Sequence, residues 1–146
     1  MSAMPRLESG HPRKEYGQAL VEFSLAILVF LVMAIALFDL GRGVFAYNGV
    51  SEATREVARQ TIVHPGVVLG ASPETQGAIA VQRKLVPGLT TPTFACVDVT
   101  GASVAHVPCQ SGDYVRVTAT ASYRPISLLG LLGQFDLTSS ASMLIP

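Results

Sequence analysis

The carboxylate of Glu22 is the side chain whose position most needs a chemical explanation. It lies within an apolar run, residues 19–40, whose other polar members are Ser24 and Asp39. A carboxylate inside a membrane-spanning segment costs about 2.5–3.5 kcal/mol on insertion scales and needs a partner. Either Glu22 has such a partner, or it snorkels in the first turn of a helix, where the helix dipole favours an anion.

Cys96 and Cys109 are the two cysteines of the 146-residue chain. If this part of the chain is extracytoplasmic, we expect them to form one disulfide, worth roughly 3 kcal/mol. Zinc is an alternative because His106 precedes Cys109 by three residues and Asp98 is near, but this spacing matches no usual zinc site. Free thiols are the third alternative. We predict the disulfide and no metal site.

The sequence offers no catalytic or cofactor-binding motif. Residues 41–46, Gly-Arg-Gly-Val-Phe-Ala, match the dinucleotide fingerprint, but a true fingerprint follows a strand and opens a helix. This segment falls inside a predicted helix, where small residues suit contact with a partner helix. A nucleophile elbow, a phosphate loop and a histidine pair on one helical face are all missing. We therefore predict a non-enzymatic protein without a cofactor. The net charge is zero and only 14% of residues are charged, so we predict no contact with nucleic acid.

The apolar run is long enough to cross a membrane once, since a crossing takes about 20 apolar residues. We predict a transmembrane helix over 18–40. A cleaved secretory signal is an alternative, but the run is longer than the usual hydrophobic region and no small-x-small site follows it. A buried helix of a soluble protein is another, but about a hundred other residues are too few to surround it. The positive-inside bias is slight, with these basic residues before and after the run: Arg6, Arg13, Lys14, Arg42 and Arg55.

A processing motif lies at residues 17–23, Gly-Gln-Ala-Leu-Val-Glu-Phe. Gly17 followed by Glu22 is the pattern of type IV prepilin-like leaders. With the segments Phe-Asp-Leu-Gly-Arg at 38–42 and Ala-Thr-Arg-Glu-Val-Ala-Arg at 53–59, this motif resembles the TadE-like family. That family comprises minor pseudopilins of tight-adherence, or Flp-type, pilus machines. Two positions depart from related patterns, since common pilins have Phe in place of Gln18 and Flp-type pilins have Tyr in place of Phe23.

The resemblance implies that a membrane-bound prepilin peptidase cuts between Gly17 and Gln18. A glycine suits such a cut because it lies extended in a protease cleft without a side-chain clash. In pilins the acid equivalent to Glu22 pairs with the new α-amine of a neighbouring subunit, which would give this carboxylate its partner. The implied partners are the lipid membrane, the peptidase, other pilin or pseudopilin subunits and the assembly platform. The residues expected on the subunit-packing helix are Asp39, Gly41, Arg42, Gly43, Arg55 and Arg59.

Helical periodicity continues beyond the apolar run, which predicts one helix from about Gln18 to Ile62. Small and apolar residues recur every three or four positions on one face, and charged residues occupy the other. Glu56 and Arg59 form an i,i+3 pair on the charged face, as do Glu52 and Arg55. The members of the apolar face are Gly43, Ala46, Val50, Ala53, Val57 and Thr61.

The C-terminal part is predicted to form one helix and a small antiparallel sheet. Ser72 and Pro73 make a strong helix start, and a helix over 73–85 would bury Ile79, Ala80 and either Leu85 or Val86. Strict alternation over 113–123 predicts a half-buried strand. Segments 94–99 and 104–107 are expected to form a hairpin, and 137–145 a closing strand. The apolar run 126–132 is interpreted either as a cap on the sheet core or as a patch for a sister subunit or the bilayer.

The sequence thus predicts an α+β protein with a long N-terminal helix followed by a small head. Its expected parts are a cytoplasmic leader (1–17), a transmembrane helix (18–40), an amphipathic stalk (41–64) and an extracytoplasmic head (65–146). The expected location is the bacterial inner membrane, with the N-terminus inside and the head outside, either there or in the pilus. The predicted function is assembly of a Flp-type pilus. The alternative is an unprocessed single-pass envelope protein whose head binds a ligand or partner.

Overall fold

A computed structural model of the chain describes residues 13–104, 109–126 and 133–146. Its elements are helix α1 (Arg13–Val63), helix α2 (Pro73–Leu85) and strands β1 (Thr93–Val97), β2 (Tyr114–Tyr123) and β3 (Phe135–Leu144). The chain divides into two compact units, Met1–Leu37 and Phe38–Pro146. The predicted α+β class, with a long helix followed by a small helix-and-sheet head, is confirmed.

The first unit consists, in its described part, of the N-terminal portion of α1. Its large apolar side chains are exposed along the whole described length, as Leu20, Leu28 and Phe30 illustrate. By length and composition α1 is suited to cross a membrane. The hydroxyl of Ser24 donates to the carbonyl of Leu20 at 2.7 Å, so this polar group is satisfied by its own helix.

In the second unit the apolar face of α1 packs on the sheet. Val50 and Ala53 lie in one buried cluster with Ala119 and Ala121 of β2. One to two turns further along the helix, a second cluster joins Val57 and Ala58 to Ile79, Val115 and Val117. Because positions later in α1 meet positions earlier in β2, the strand runs opposite to the helix. The predicted amphipathic face is therefore real, and the sheet covers it.

Helix α2 begins and ends where its sequence predicts. The Ser72 hydroxyl caps the helix by accepting from the Thr75 backbone N–H at 3.2 Å, and Pro73 opens the first turn. Ile79 is buried as expected. The expected burial of Ala80 is wrong, because the buried stripe of this helix runs through Thr75 and Ile79 instead. After the helix ends, Val86 is buried and Leu85 is exposed, since the extended backbone at Val86 turns its side chain inward.

The sheet has the order β1-β2-β3, with both pairs antiparallel. The alternation predicted for 113–123 is confirmed in β2, whose odd-numbered residues from Val115 to Ala121 are buried. The closing strand is confirmed as β3. Its residue Leu137 packs on the first cluster and Ala141 and Met143 pack on the second.

The predicted hairpin after β1 is only partly correct. The chain does reverse at 98–102, where the Asp98 N–H donates to the Ala102 carbonyl at 2.9 Å and the Val104 N–H donates to the Cys96 carbonyl at 3.0 Å. The strand ends at Val97 and its long partner is β2, which satisfies more backbone groups than the short return segment can. Of the predicted return strand, 105–107 lie outside the described residues.

Candidate functional site

The processing motif lies within the helical part of the first unit. Helix α1 begins at Arg13, so Gly17 is inside it, whereas the sequence predicted a helix start near Gln18. The helix includes Arg13, Lys14 and Glu15, and all three are strong helix formers. A Cβ atom built on Gly17 would meet no other atom within 4 Å.

Glu22 has a hydrogen-bond partner within the unprocessed chain. The side-chain amide of Gln18 donates to a carboxylate oxygen of Glu22 at 3.3 Å, one helical turn apart. Both side chains are exposed, and so is Phe23, the last residue of the motif. Gln18, the first residue of the predicted mature chain, therefore contacts the Glu22 carboxylate through its side-chain amide.

A second group of polar contacts joins α1 to the end of the sheet in the second unit; we refer to Asp39, Arg42, Tyr123 and Ile126 as the polar junction. The backbone carbonyl of Asp39 accepts from the Tyr123 hydroxyl at 2.9 Å. Its carboxylate accepts from the Ile126 backbone N–H at 3.1 Å and lies 3.6 Å from the Arg42 guanidinium. With 5% of its surface exposed, Asp39 is the buried anion that ties the helix to the chain leaving β2.

Arg42 covers the remaining side of the polar junction. Its guanidinium carbon lies 5.9 Å from the centre of the Tyr123 ring, within range of a cation–π contact. A Cβ on Gly43 would lie 3.7 Å from the same ring, an ordinary contact distance, so the ring of Tyr123 packs against this position of the helix. Gly41 differs, because a Cβ there would meet nothing within 4 Å. Asp39, Arg42 and Gly43 therefore contact their own sheet, and their role in subunit packing stays a prediction.

The two other residues predicted on the packing helix lie on its solvent side. Arg59 forms two hydrogen bonds with the Glu56 carboxylate, at 2.9 and 2.7 Å, which confirms the predicted i,i+3 pair. Hydrogen bonds from Arg59 and then from Gln60 hold the pKa of Glu56 below its ordinary value. Arg55 is exposed. Charged groups at this surface are available to a neighbouring protein, but their use by one stays a prediction.

The predicted disulfide is confirmed. Cys96 and Cys109 are bonded, with their Cα atoms 5.4 Å apart, a usual separation for such a bridge. The zinc and free-thiol alternatives are thereby removed for these sulfurs. Asp98 organises the turn instead: its carboxylate accepts from the Thr100 hydroxyl and from the N–H groups of Thr100 and Ala102. Of the other residue considered for a metal, His106, the structure gives no description.

The family match covers the segment of α1 that contains the processing motif and the residues Asp39 and Arg42 of the polar junction. Residues 17–59 match the family model described as TadE-like protein. This match confirms the resemblance seen in the sequence, and it begins at Gly17, the residue before the predicted cut. The likeness is to this segment of the chain. Neither the curated proteins nor the solved structures gave a match.

The sheet half of the polar junction was not predicted. Asp39 and Arg42 belong to the TadE-like segment, but their partners Tyr123 and Ile126 lie beyond it. A signal for them did exist. Asp39 stands at the end of an apolar run, where a carboxylate needs donors, and Tyr123 ends an alternating strand, where a hydroxyl commonly reaches a polar partner.

Proposed function

We propose that this chain is a pilin-like membrane protein, a minor pseudopilin that takes part in assembling a Flp-type pilus. The observation that carries the proposal is the TadE-like match over residues 17–59, which contains both the processing motif and the residues predicted on the packing helix. The exposed apolar surface of α1 from Leu20 onward supports an anchored protein, because such a surface is unfavourable in water.

The processing step would change the chemistry around Glu22. Hydrolysis of the bond between Gly17 and Gln18 consumes one water and creates a carboxylate on the leader and an α-amine on Gln18. At neutral pH that amine is mostly protonated, and it lies one helical turn before Glu22. In an assembled pilus the amine of a neighbouring subunit would approach Glu22, replacing the Gln18 amide seen in the uncut chain. The pairing would offset the cost of a carboxylate within the bilayer.

The proposed topology is a single span in the bacterial inner membrane, with the N-terminus in the cytoplasm and the head outside. The disulfide supports this orientation, since disulfides persist in oxidising compartments and are rare in the cytosol. The basic residues Arg13 and Lys14 before the span agree with it. The proposed partners are the membrane, a prepilin peptidase, other pilin or pseudopilin subunits and the assembly platform.

The proposal is tested by the N-terminal residue of the protein purified from membranes of cells that make the whole pilus system. We expect mass spectrometry to find Gln18 at the N-terminus. Gly17→Leu should retain residues 1–17, because a branched side chain blocks the cleft. Gly41→Leu is the matched control: the same replacement at a position equally free of neighbours, expected to leave the cut unaffected. A native protein that still carries its first 17 residues would contradict processing and favour an unprocessed envelope protein.

Glu22→Gln separates processing from assembly. The amide cannot pair as an ion with an α-amine, so this variant should be cut normally yet recovered with other pilus subunits in reduced amount. The loss of the charge also makes the span easier to insert, so failure to reach the membrane is not expected. Equal recovery of the variant and the native protein would show that Glu22 has no pairing role.

A further inference from the structure

Strand β3 lies at one edge of the sheet and has only β2 as a neighbour in the described part of the chain. Just past its end, Ile145 donates its N–H to the Asp113 carbonyl at 2.8 Å, and its own carbonyl accepts from the Gly112 N–H at 3.1 Å. Both backbone groups of Ile145 thus point toward β2, and in an antiparallel pair this direction alternates from one residue to the next. The odd-numbered residues of β3 therefore bond to β2, and the even-numbered ones present their N–H and C=O groups outward: Asp136, Thr138, Ser140, Ser142 and Leu144.

The two edges of the sheet differ in how they are covered. At the outer edge of β1, the Val104 N–H of the return segment bonds to the Cys96 carbonyl at 3.0 Å, and the disulfide ties Cys109 to the same strand. Val97 is only 1% exposed although it belongs to an edge strand. By contrast, β3 contains no buried residue. An open edge is a template on which another strand can pair, and the sheet leaves only its β3 side in this state among the described residues.

The sequence of β3 lacks the features that usually keep an edge strand from pairing. Proteins protect such strands with proline, with charged residues, lysine above all, with bulges or by making the strand short. All ten residues of β3 pair with β2 in one continuous register. The strand contains neither proline nor lysine, and Asp136, near its start, is its only charged residue. The outer edge of β3 is therefore long, regular and able to accept another strand.

The core is incomplete along the same edge. Leu137, Ala141 and Met143 point to the core face of the sheet and pack on the two buried clusters, yet each is only half-buried. Their partners on the central strand are covered much better: Val117, opposite Ala141, is fully buried, and so in effect is Ala121, opposite Leu137. A further strand with apolar side chains on this face would cover the outer sides of the three β3 residues.

The composition of β3 favours a strand from a different protein over a second copy of this chain. Because β2 is central and the edge of β1 is covered, the described strand that a second copy could offer is β3 itself. The middle of β3 reads Ser-Ser-Ala-Ser at 139–142, so two copies would place small serine side chains against each other. Stabilising cross-strand pairs are made by aromatic and β-branched side chains. A strand that contains such residues, as β2 does, fits this edge better.

We propose that the outer edge of β3 is a docking site for an extended strand of a partner protein, which adds a fourth strand to the sheet. The apolar side chains of the partner strand alternate and lie beside Leu137, Ala141 and Met143. Its intervening side chains are polar or β-branched and lie on the opposite face, beside the hydroxyls of Thr138 and Ser140. The partner strand has no proline where its N–H groups donate to β3. This inference depends neither on membrane anchorage nor on processing at Gly17.

The test is amide hydrogen exchange of the full chain in detergent micelles, followed by NMR. The probe is a synthetic peptide with the sequence of β2, which has the required alternation and already pairs with the inner edge of β3. We expect about 1 mM peptide to slow exchange at Thr138, Ser140 and Ser142 at least about tenfold. Exchange at Ser139 and Ala141, whose N–H groups point to β2, should not change. A peptide of the same composition without the alternation is the control and should change none of these rates.

The other outcomes would overturn the proposal. Unchanged exchange at the even-numbered residues would show that the edge does not accept a strand. Faster exchange at Ser139 and Ala141 would mean that the peptide displaces β2 instead of adding to β3. Slow exchange at the even-numbered residues before peptide is added would mean that the edge is already covered. Light scattering would then assign the cover to a second copy if the mass is doubled, and to the same chain if it is not.

Ser140→Pro removes one outward donor from the edge without removing a bond to β2, because the Ser140 N–H points away from that strand. Proline is tolerated at such a position of an edge strand. Ser140→Ala is the matched control, since it keeps the N–H group. We expect the peptide to protect Ser142 in the alanine variant and not in the proline variant. Slow exchange at Val117 in both would show that the sheet is intact. Equal protection of Ser142 in the two variants would overturn strand pairing at this edge.

The same two variants test the edge in cells that make the whole pilus system. A photo-reactive phenylalanine in place of Ser142 should cross-link to another protein when Ser140→Ala is present and should fail to do so with Ser140→Pro. A cross-link that survives the proline would mean a contact other than strand pairing. No cross-link in either variant would mean that the edge is free in the cell. Both results would overturn the proposal, as would a cross-link between two copies of this chain.

Discussion

Breaking the disulfide between Cys96 and Cys109 should destabilise the second unit strongly without removing its core. The bridge closes a loop with a sequence separation of 13, and the chain-entropy relation for such a loop gives about 3 kcal/mol at room temperature. For a unit of this size, that loss corresponds to a fall in Tm on the order of 10–20 °C. Cys96 also lies at the edge of the core, because it pairs with Val115 of β2, which is fully buried.

The local consequence follows from what the bridge holds in place. The return segment bonds to β1 through the Val104 N–H, which donates to the Cys96 carbonyl, and the turn before it is held by bonds between Asp98 and Ala102. Without the bridge this segment would detach first and expose the outer edge of β1. Amide hydrogen exchange at Asp98 and Val104 should therefore accelerate more than exchange at Val117 in the middle of β2.

The assay is urea unfolding of the full chain in detergent micelles, followed by tyrosine circular dichroism, with and without a reducing agent. The variant Cys96→Ala/Cys109→Ala is the control, because a reducing agent should leave its midpoint unchanged. We expect the reduced native protein to unfold at much lower urea. If oxidised and reduced protein shared one midpoint, the entropic argument for this loop would be refuted.

Two further changes probe the junction and the turn. Tyr123→Phe removes the hydroxyl that donates to the Asp39 carbonyl and keeps the ring against Gly43. Urea unfolding should show that the free energy of unfolding falls by about 1 kcal/mol. An unchanged midpoint would contradict a structural role for this hydrogen bond. Hydrogen bonds from the Thr100 hydroxyl and the Ala102 N–H hold the pKa of Asp98 below its ordinary 3.8. Its folded pKa is thus the lower one, so its contribution is complete above about pH 5 and lost as the pH falls through the folded pKa. In the Asp98→Asn variant the free energy of unfolding should depend less on pH in this acidic range. If the variant and the native protein showed the same pH dependence, Asp98 would not be the group responsible.

Local patterns in the sequence predicted the elements that local physics determines. Alternation identified β2, and the Ser72 cap with Pro73 identified the start of α2. Pairing over long distances could not be read in the same way. The partner of β1 is β2 rather than the nearby return segment, and this choice depends on how many backbone groups each partner satisfies. The burial of Val86 instead of Leu85 likewise depends on a backbone turn that no periodicity encodes.

The sequence singled out the helical residues of the polar junction, but it predicted neither their contacts with the sheet nor their partners there. The motif at Gly17 and Glu22 and the residues from Asp39 to Gly43 stand within one contiguous segment, where spacing carries information. The sequence also identified the apolar face of the predicted stalk, but it did not identify what packs on that face. The spacing of Val50 and Val57 does not say whether a neighbouring subunit or the same chain covers them. The answer depends on the sheet that forms some sixty residues later.

The position of Gly17 inside α1 has a consequence for the timing of the proposed cut. A peptide bond in a helix is inaccessible to a protease that binds its substrate extended, so the turn from Arg13 to Gln18 must open before hydrolysis. The closed and open forms of such a turn exchange rapidly. The observed rate of cutting would then be the rate on the open form multiplied by its population. Residues 13–16 would act as a rate-setting element, and replacing Lys14 by glycine should speed maturation without touching the scissile bond.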